Sequence, residues 1–169
     1  MGLLVLLAWA VVAGAVPDLV GARPGPLGAP PDLYVAMATF LALKGNGVHA
    51  VKWGILLGLL ADCASLDPLG THAFVLGTVA FLFARRHGDA RAVGGVLVPL
   101  SVALATVIAR VLYVVRCLPL HQGGPVLDPL RSVLPAALAT ALVSWPLLLL
   151  LERSGAIDDL TGRRHATRA

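Results

Sequence analysis

Trp53-Gly-Ile-Leu-Leu-Gly-Leu-Leu-Ala-Asp-Cys-Ala-Ser-Leu-Asp-Pro-Leu-Gly-Thr-His-Ala-Phe74 is an apolar run that ends on an acid, turns at Pro68 and starts a second apolar run. This stretch reads as a membrane hairpin. On a helix, Gly54, Gly58, Ala61, Asp62 and Ser65 share one face at spacings of three and four, so a groove without bulk leads up to a carboxylate. Such a face meets protein rather than lipid. A carboxylate at mid-bilayer depth costs roughly 2.5 to 3.5 kcal/mol and much less near the interface. Asp62 is therefore expected near a membrane face or against a partner. The plainer reading is that small residues let two backbones pack and that an acid at a helix end is solvated.

Composition sets the class. The 169 residues are 58% hydrophobic and 13% charged, with mean hydropathy +0.87. That is more apolar surface than one soluble domain of this size buries. Pro, Gly and charge divide the apolar material into long blocks, which fits a helical bundle and not a barrel of alternating ten-residue strands. The expected fold is all-α, a polytopic transmembrane bundle of about six segments. Residues 1–151 form a single integral membrane domain, and 152–169 a polar cytoplasmic tail unable to build a core. The net charge of +4 sits between apolar blocks without interleaved aromatics, so topology explains it better than nucleic acid. Cys63 and Cys117 fit no metal motif and no disulfide framework, and no cofactor or metal is expected.

Gly2 to Val16 is an apolar block, and Ala13-Gly14-Ala15 at its end has the form of a signal-peptidase site, but the block lacks the basic start of a signal peptide; it reads as a first membrane helix that is retained. Pro17 to Pro31 holds five prolines and three glycines and reads as an irregular connection. Asp32 is placed to cap the next helix, Leu33 to Leu43, by accepting from the free amides of its first turn. At about 1.5 Å per residue, that helix falls well short of the roughly 30 Å hydrocarbon core. It must be tilted, broken or re-entrant, with its backbone ends shielded by neighbours. Lys44-Gly45-Asn46-Gly47 is a turn, Val48 to Ala64 the grooved helix, and Leu69 to Ala84 the return. A polar loop over 85–91 precedes the apolar run Val93 to Leu118, which carries the single intramembrane base Arg110. The polar connection 121–125 leads to the last block, Val126 to Leu151, with Pro135 and Pro146 as expected kinks.

With six spans, nine bases (Lys44, Lys52, Arg85, Arg86, Arg91, Arg153, Arg163, Arg164 and Arg168) fall on one side and three (Arg23, Arg116 and Arg131) on the other. The bias makes the first side cytoplasmic, both termini included, and turns the Asp62–Pro68 hairpin outward. If Leu33 to Leu43 is re-entrant, only the N-terminus changes sides. Asp62 and Arg110 then lie at similar outer depth and are candidates for an intramembrane ion pair. Catalysis finds little support. Ser65, His72, Asp62 and Asp67 are close in sequence, yet there is no Gly-x-Ser-x-Gly elbow, no His-Glu-x-x-His and no pair of intramembrane aspartates. No catalytic residue is assigned, and His72 reads as a helix-start residue.

Pro31-Asp32-Leu33, the Gly54-to-Asp62 helix and Pro68-Leu69-Gly70-Thr71-His72-Ala73 together resemble the MreD family of bacterial rod shape-determining proteins. That family has a Gly-Phe-x-x-Gly-Leu-x-x-Asp helix followed by a Leu-Gly turn; here Ile55 stands where Phe is usual, which keeps the groove. The resemblance implies a non-enzymatic inner-membrane subunit of the cell-elongation machinery. It also implies binding to MreC and, through MreC, to MreB and the transpeptidase and glycosyltransferase of lateral peptidoglycan synthesis. Gly54, Gly58, Asp62, Pro68, Gly70 and His72 would be partner or helix-packing positions, with lipid around the bundle. The family is similar in fold to the substrate-binding subunits of energy-coupling-factor vitamin transporters, which makes a vitamin-binding subunit the alternative. A vitamin site calls for polar or aromatic lining, whereas this sequence is expected to offer mainly Pro, Gly and small aliphatics.

Overall fold

The computed structural model describes residues 2–21, 30–45, 47–65, 68–86, 97–117 and 132–153. These form six helices: α1 (Gly2–Gly21), α2 (Leu33–Lys44), α3 (Gly47–Ala64), α4 (Thr71–Arg86), α5 (Leu97–Cys117) and α6 (Val133–Arg153). The described residues contain no strand. Among the described residues three helices are long and apolar enough to cross a membrane, namely α3, α5 over Leu97–Arg116 and α6, while α2 and α4 are shorter apolar helices. Most of the polar loop 85–91, the connection 121–125 and the tail beyond Arg153 lie outside the described residues.

Two departures from the sequence reading fall at prolines. α1 continues through Pro17 to Gly21 instead of ending at Val16. Pro135 is the third residue of α6, where an amide without an intrahelical partner is the norm, so it needs no kink. Pro99 has the same position in α5. Pro146 does lie inside its helix.

The short helix is the centre of the bundle. α2 packs against α1, α3, α4, α5 and α6, and every residue from Val35 to Leu43 is buried. A helix that is apolar all round belongs inside protein, so its short length is not set by the bilayer. Neighbours satisfy both of its ends. At the start, the Asp32 carboxylate accepts from the Val35 amide at 3.1 Å, and the Asp32 amide donates to Thr140 Oγ1 of α6 at 2.8 Å. From α1, Trp9 Nε1 donates to the Leu33 carbonyl at 2.9 Å, and Tyr34 returns a bond from its hydroxyl to the Ala10 carbonyl at 3.0 Å. At the far end, Gly45 closes the helix onto the Leu41 carbonyl at 2.8 Å, and Lys44 pairs with Glu152 at 2.7 Å. The two ties to α6, Asp32 to Thr140 and Lys44 to Glu152, lie twelve residues apart along each helix, so α2 and α6 run parallel.

The outer faces are apolar where nothing covers them. Leu100, Leu104, Val111 and Val115 of α5 and Leu134, Leu138, Leu142 and Leu150 of α6 are exposed. In a soluble protein such stripes would be an aggregation liability; around a membrane bundle they are the surface that lipid wets.

Candidate functional site

The glycine face of α3 is filled by α4 of the same chain. A Cβ on Gly58 would come within 2.5 Å of both the Ala73 amide nitrogen and the His72 carbonyl oxygen, and closer still to Ala73 Cα. At Gly54 it would lie 2.9 Å from the Leu76 carbonyl oxygen and 2.8 Å from Ala80 Cβ. From the other side Gly77 receives Ile55, whose Cγ1 would be 2.9 Å from an added Cβ. The small residues therefore bring two antiparallel backbones together in one hairpin, as close approach demands. They do not leave an open groove for another protein.

That approach delivers the start of α4 onto Asp62, whose side chain is fully buried. Oδ1 accepts from the His72 amide at 2.9 Å and lies 2.9 Å from His72 Nδ1. Oδ2 accepts from the Gly70 amide at 2.9 Å and the Ala73 amide at 3.2 Å. Four contacts use the carboxylate's acceptor capacity. Three come from amides left free by a helix start, where the macrodipole also favours a negative charge. Because an ionised carboxylate only accepts, the fourth contact requires hydrogen on Nδ1 and so sets the tautomer of His72. Gly70 makes the turn possible with φ of +89°, a left-handed value that side-chain-bearing residues resist. The Thr71 hydroxyl bonds to the Pro68 carbonyl at 2.8 Å. Asp62, Pro68, Gly70 and His72 are thus parts of one helix-start clasp.

Two sequence expectations fail here. Asp62 is neither solvated at a membrane face nor paired with Arg110: among the described residues its partners are the α4 amides and His72. A carboxylate already holding four donors has no room for a guanidinium. The Ser65 hydroxyl donates to the Asp62 backbone carbonyl at 3.4 Å. Among the described residues no group of His, Cys, Asp and Glu could hold a metal ion, and Cys63 is free and exposed.

Arg110 instead lines a cavity of about 330 Å³ between α2, α4 and α5, together with Asp32, Tyr34, His72 and Tyr113 over an apolar floor. The His72 and Tyr113 rings stand 5.7 Å apart, tilted by 46°. This polar and aromatic lining departs from the expectation of mainly Pro, Gly and small aliphatics. It comes from three stretches far apart in sequence, of which Asp32 and His72 at helix starts and the lone base Arg110 were the only signals.

The family model for the rod shape-determining protein MreD matches residues 1–153. The chain belongs to the MreD family. No curated protein and no solved structure matches it. The match spans all six described helices, so the clasp, the buried α2 and the cavity all lie within the part that defines membership. Membership makes this a rod shape-determining membrane protein.

Proposed function

We propose that this MreD-family chain is a non-enzymatic scaffold of the bacterial cell-elongation complex. It sits in the inner membrane with both termini cytoplasmic, binds MreC, and through MreC engages MreB and the enzymes of lateral peptidoglycan synthesis. The observation that carries this reading is the family match over residues 1–153, on a chain whose polar clasp is spent on its own hairpin. With the glycine face occupied by α4, the apolar outer surface of the bundle is the proposed face for MreC.

The test is co-purification from membranes of MreC from the same organism with the full-length chain. A stable complex is expected, and depletion of the chain should round the cells. Loss of rod shape without any recovery of MreC would remove MreC binding from the proposal. The vitamin-binding alternative has one observation in its favour, the polar cavity beside α2. A vitamin carried through purification would support it over the scaffold.

A further inference from the structure

The cavity holds two opposite charges that do not meet. On its α2 side Asp32 Oδ1 accepts from the Val35 amide. On its α5 side Arg110 has no hydrogen-bond or ion-pair partner among the described residues, and its Nε is buried and unsatisfied. A buried guanidinium nitrogen without a partner is rare in a native protein and marks a place where a missing group belongs. Arg110 also lies deep. It is seven residues before the end of α5, and Thr140, which holds Asp32, is seven residues into α6, each about 10 Å from the helix end. A cation at such depth must either be compensated or reach water, and Asp62 is already saturated.

We infer that the cavity binds a phosphate-and-ammonium zwitterion of the phosphoethanolamine type. The guanidinium fork of Arg110 takes the phosphate. The ammonium turns its N–H donors toward the Asp32 carboxylate, a bond that a choline nitrogen, carrying only methyl and methylene groups, cannot make, with the Tyr113 ring in the same cavity offering a π face to the cation. A purely anionic ligand would bring its charge toward Asp32, and a purely cationic one would leave Arg110 as it is. The volume of about 330 Å³ is at the lower end of small-ligand sites and suits a headgroup rather than a large cofactor. The same chemistry can arrive as a lipid headgroup or as a free solute, and the inference does not depend on which protein the chain binds.

The test uses the full-length protein, delipidated in detergent and titrated by native mass spectrometry. The probes are phosphatidylethanolamine, phosphatidylglycerol, phosphatidylcholine and free O-phosphoethanolamine. Phosphatidylethanolamine should bind about tenfold or more tightly than the glycerol or choline lipids. Arg110→Gln should weaken it about ten- to a hundredfold, the equivalent of one lost charge-assisted hydrogen bond, and Arg110→Lys should recover part of that loss. Asp32→Asn keeps the cap on α2, because Asn caps helices as well as Asp does, and should erase the preference for phosphatidylethanolamine over phosphatidylglycerol. Free O-phosphoethanolamine that competes with the lipid at comparable affinity supports a solute as the source; failure to compete supports the lipid. Should Arg110→Gln not fold, Arg110→Lys and Asp32→Asn still decide. Equal binding of all three lipids, or unchanged binding in folded Arg110 and Asp32 variants, would overturn the inference.

Discussion

Replacing Gly58 by Ala adds one methyl group at the point where α3 and α4 come closest. That methyl would stand 2.5 Å from two backbone atoms, the Ala73 nitrogen and the His72 oxygen, where carbon contacts settle at about 3.5 to 4.0 Å. Neither neighbour is a side chain that can rotate aside, so the helices must separate by about 1 Å. Overpacking of this kind costs about 1 to 3 kcal/mol. The separation also stretches the amide bonds from His72 and Ala73 to Asp62, and charge-assisted bonds contribute about 1.5 to 3 kcal/mol each when intact. Against this stands a helix-propensity gain of up to about 1 kcal/mol for Gly to Ala. The net expectation is a loss of about 2 to 4 kcal/mol. Gly14→Ala supplies the control: its added Cβ would meet only the Tyr34 hydroxyl, at 3.7 Å, so the propensity gain stands alone and stability should hold or rise slightly. Thermal unfolding of both variants in one detergent measures the difference. If Gly58→Ala unfolds at the same temperature as Gly14→Ala, the close approach does not hold the hairpin and the reasoning fails.

Three further outcomes are expected. Asp62→Asn and Arg110→Gln should act independently, adding within about 0.5 kcal/mol in a double-mutant cycle on stability, whereas Asp62→Asn and His72→Ala should couple; coupling of the first pair instead would restore the ion pair. Thr140→Val leaves the Asp32 amide unpaired and should cost about 1 to 3 kcal/mol, while Thr106→Val removes only a bond to the Val102 carbonyl of its own helix and should cost clearly less; equal melting temperatures for the two would refute the role of Thr140 at the start of α2. Cysteines at exposed Leu69 and Arg85 should react from opposite sides of the membrane with an impermeant maleimide, Leu69→Cys from outside intact cells and Arg85→Cys only after lysis, and labelling of Arg85→Cys in intact cells would reverse the orientation.

The helices were legible because Pro and Gly break apolar blocks wherever they cluster, and Asp32 after Pro31 marks a helix start by its chemistry alone. The glycine spacing over Gly54 and Gly58 was equally plain, but spacing says that something comes close without saying what. The occupant turned out to be the next helix in the chain. For Asp62 the sequence offered a lone acid and a lone base, and pairing them followed from charge; the competing partners were backbone amides, which every sequence has and none displays. The cavity was hidden for a related reason. Tyr34, His72 and Tyr113 each look like ordinary members of an apolar helix, and only the arrangement of α2, α4 and α5 around one another brings them to a common wall.

The two ties between α2 and α6 each join residues 108 positions apart. During synthesis α2 is the second described helix to leave the ribosome, yet the partners of its first amide and its last lysine are made only with the sixth. Until then the innermost helix is bonded to α1 but not to α6. The hold on the middle of this protein is completed last, and a chain cut short before Val133 would keep most of its helices with its centre tied on one side only.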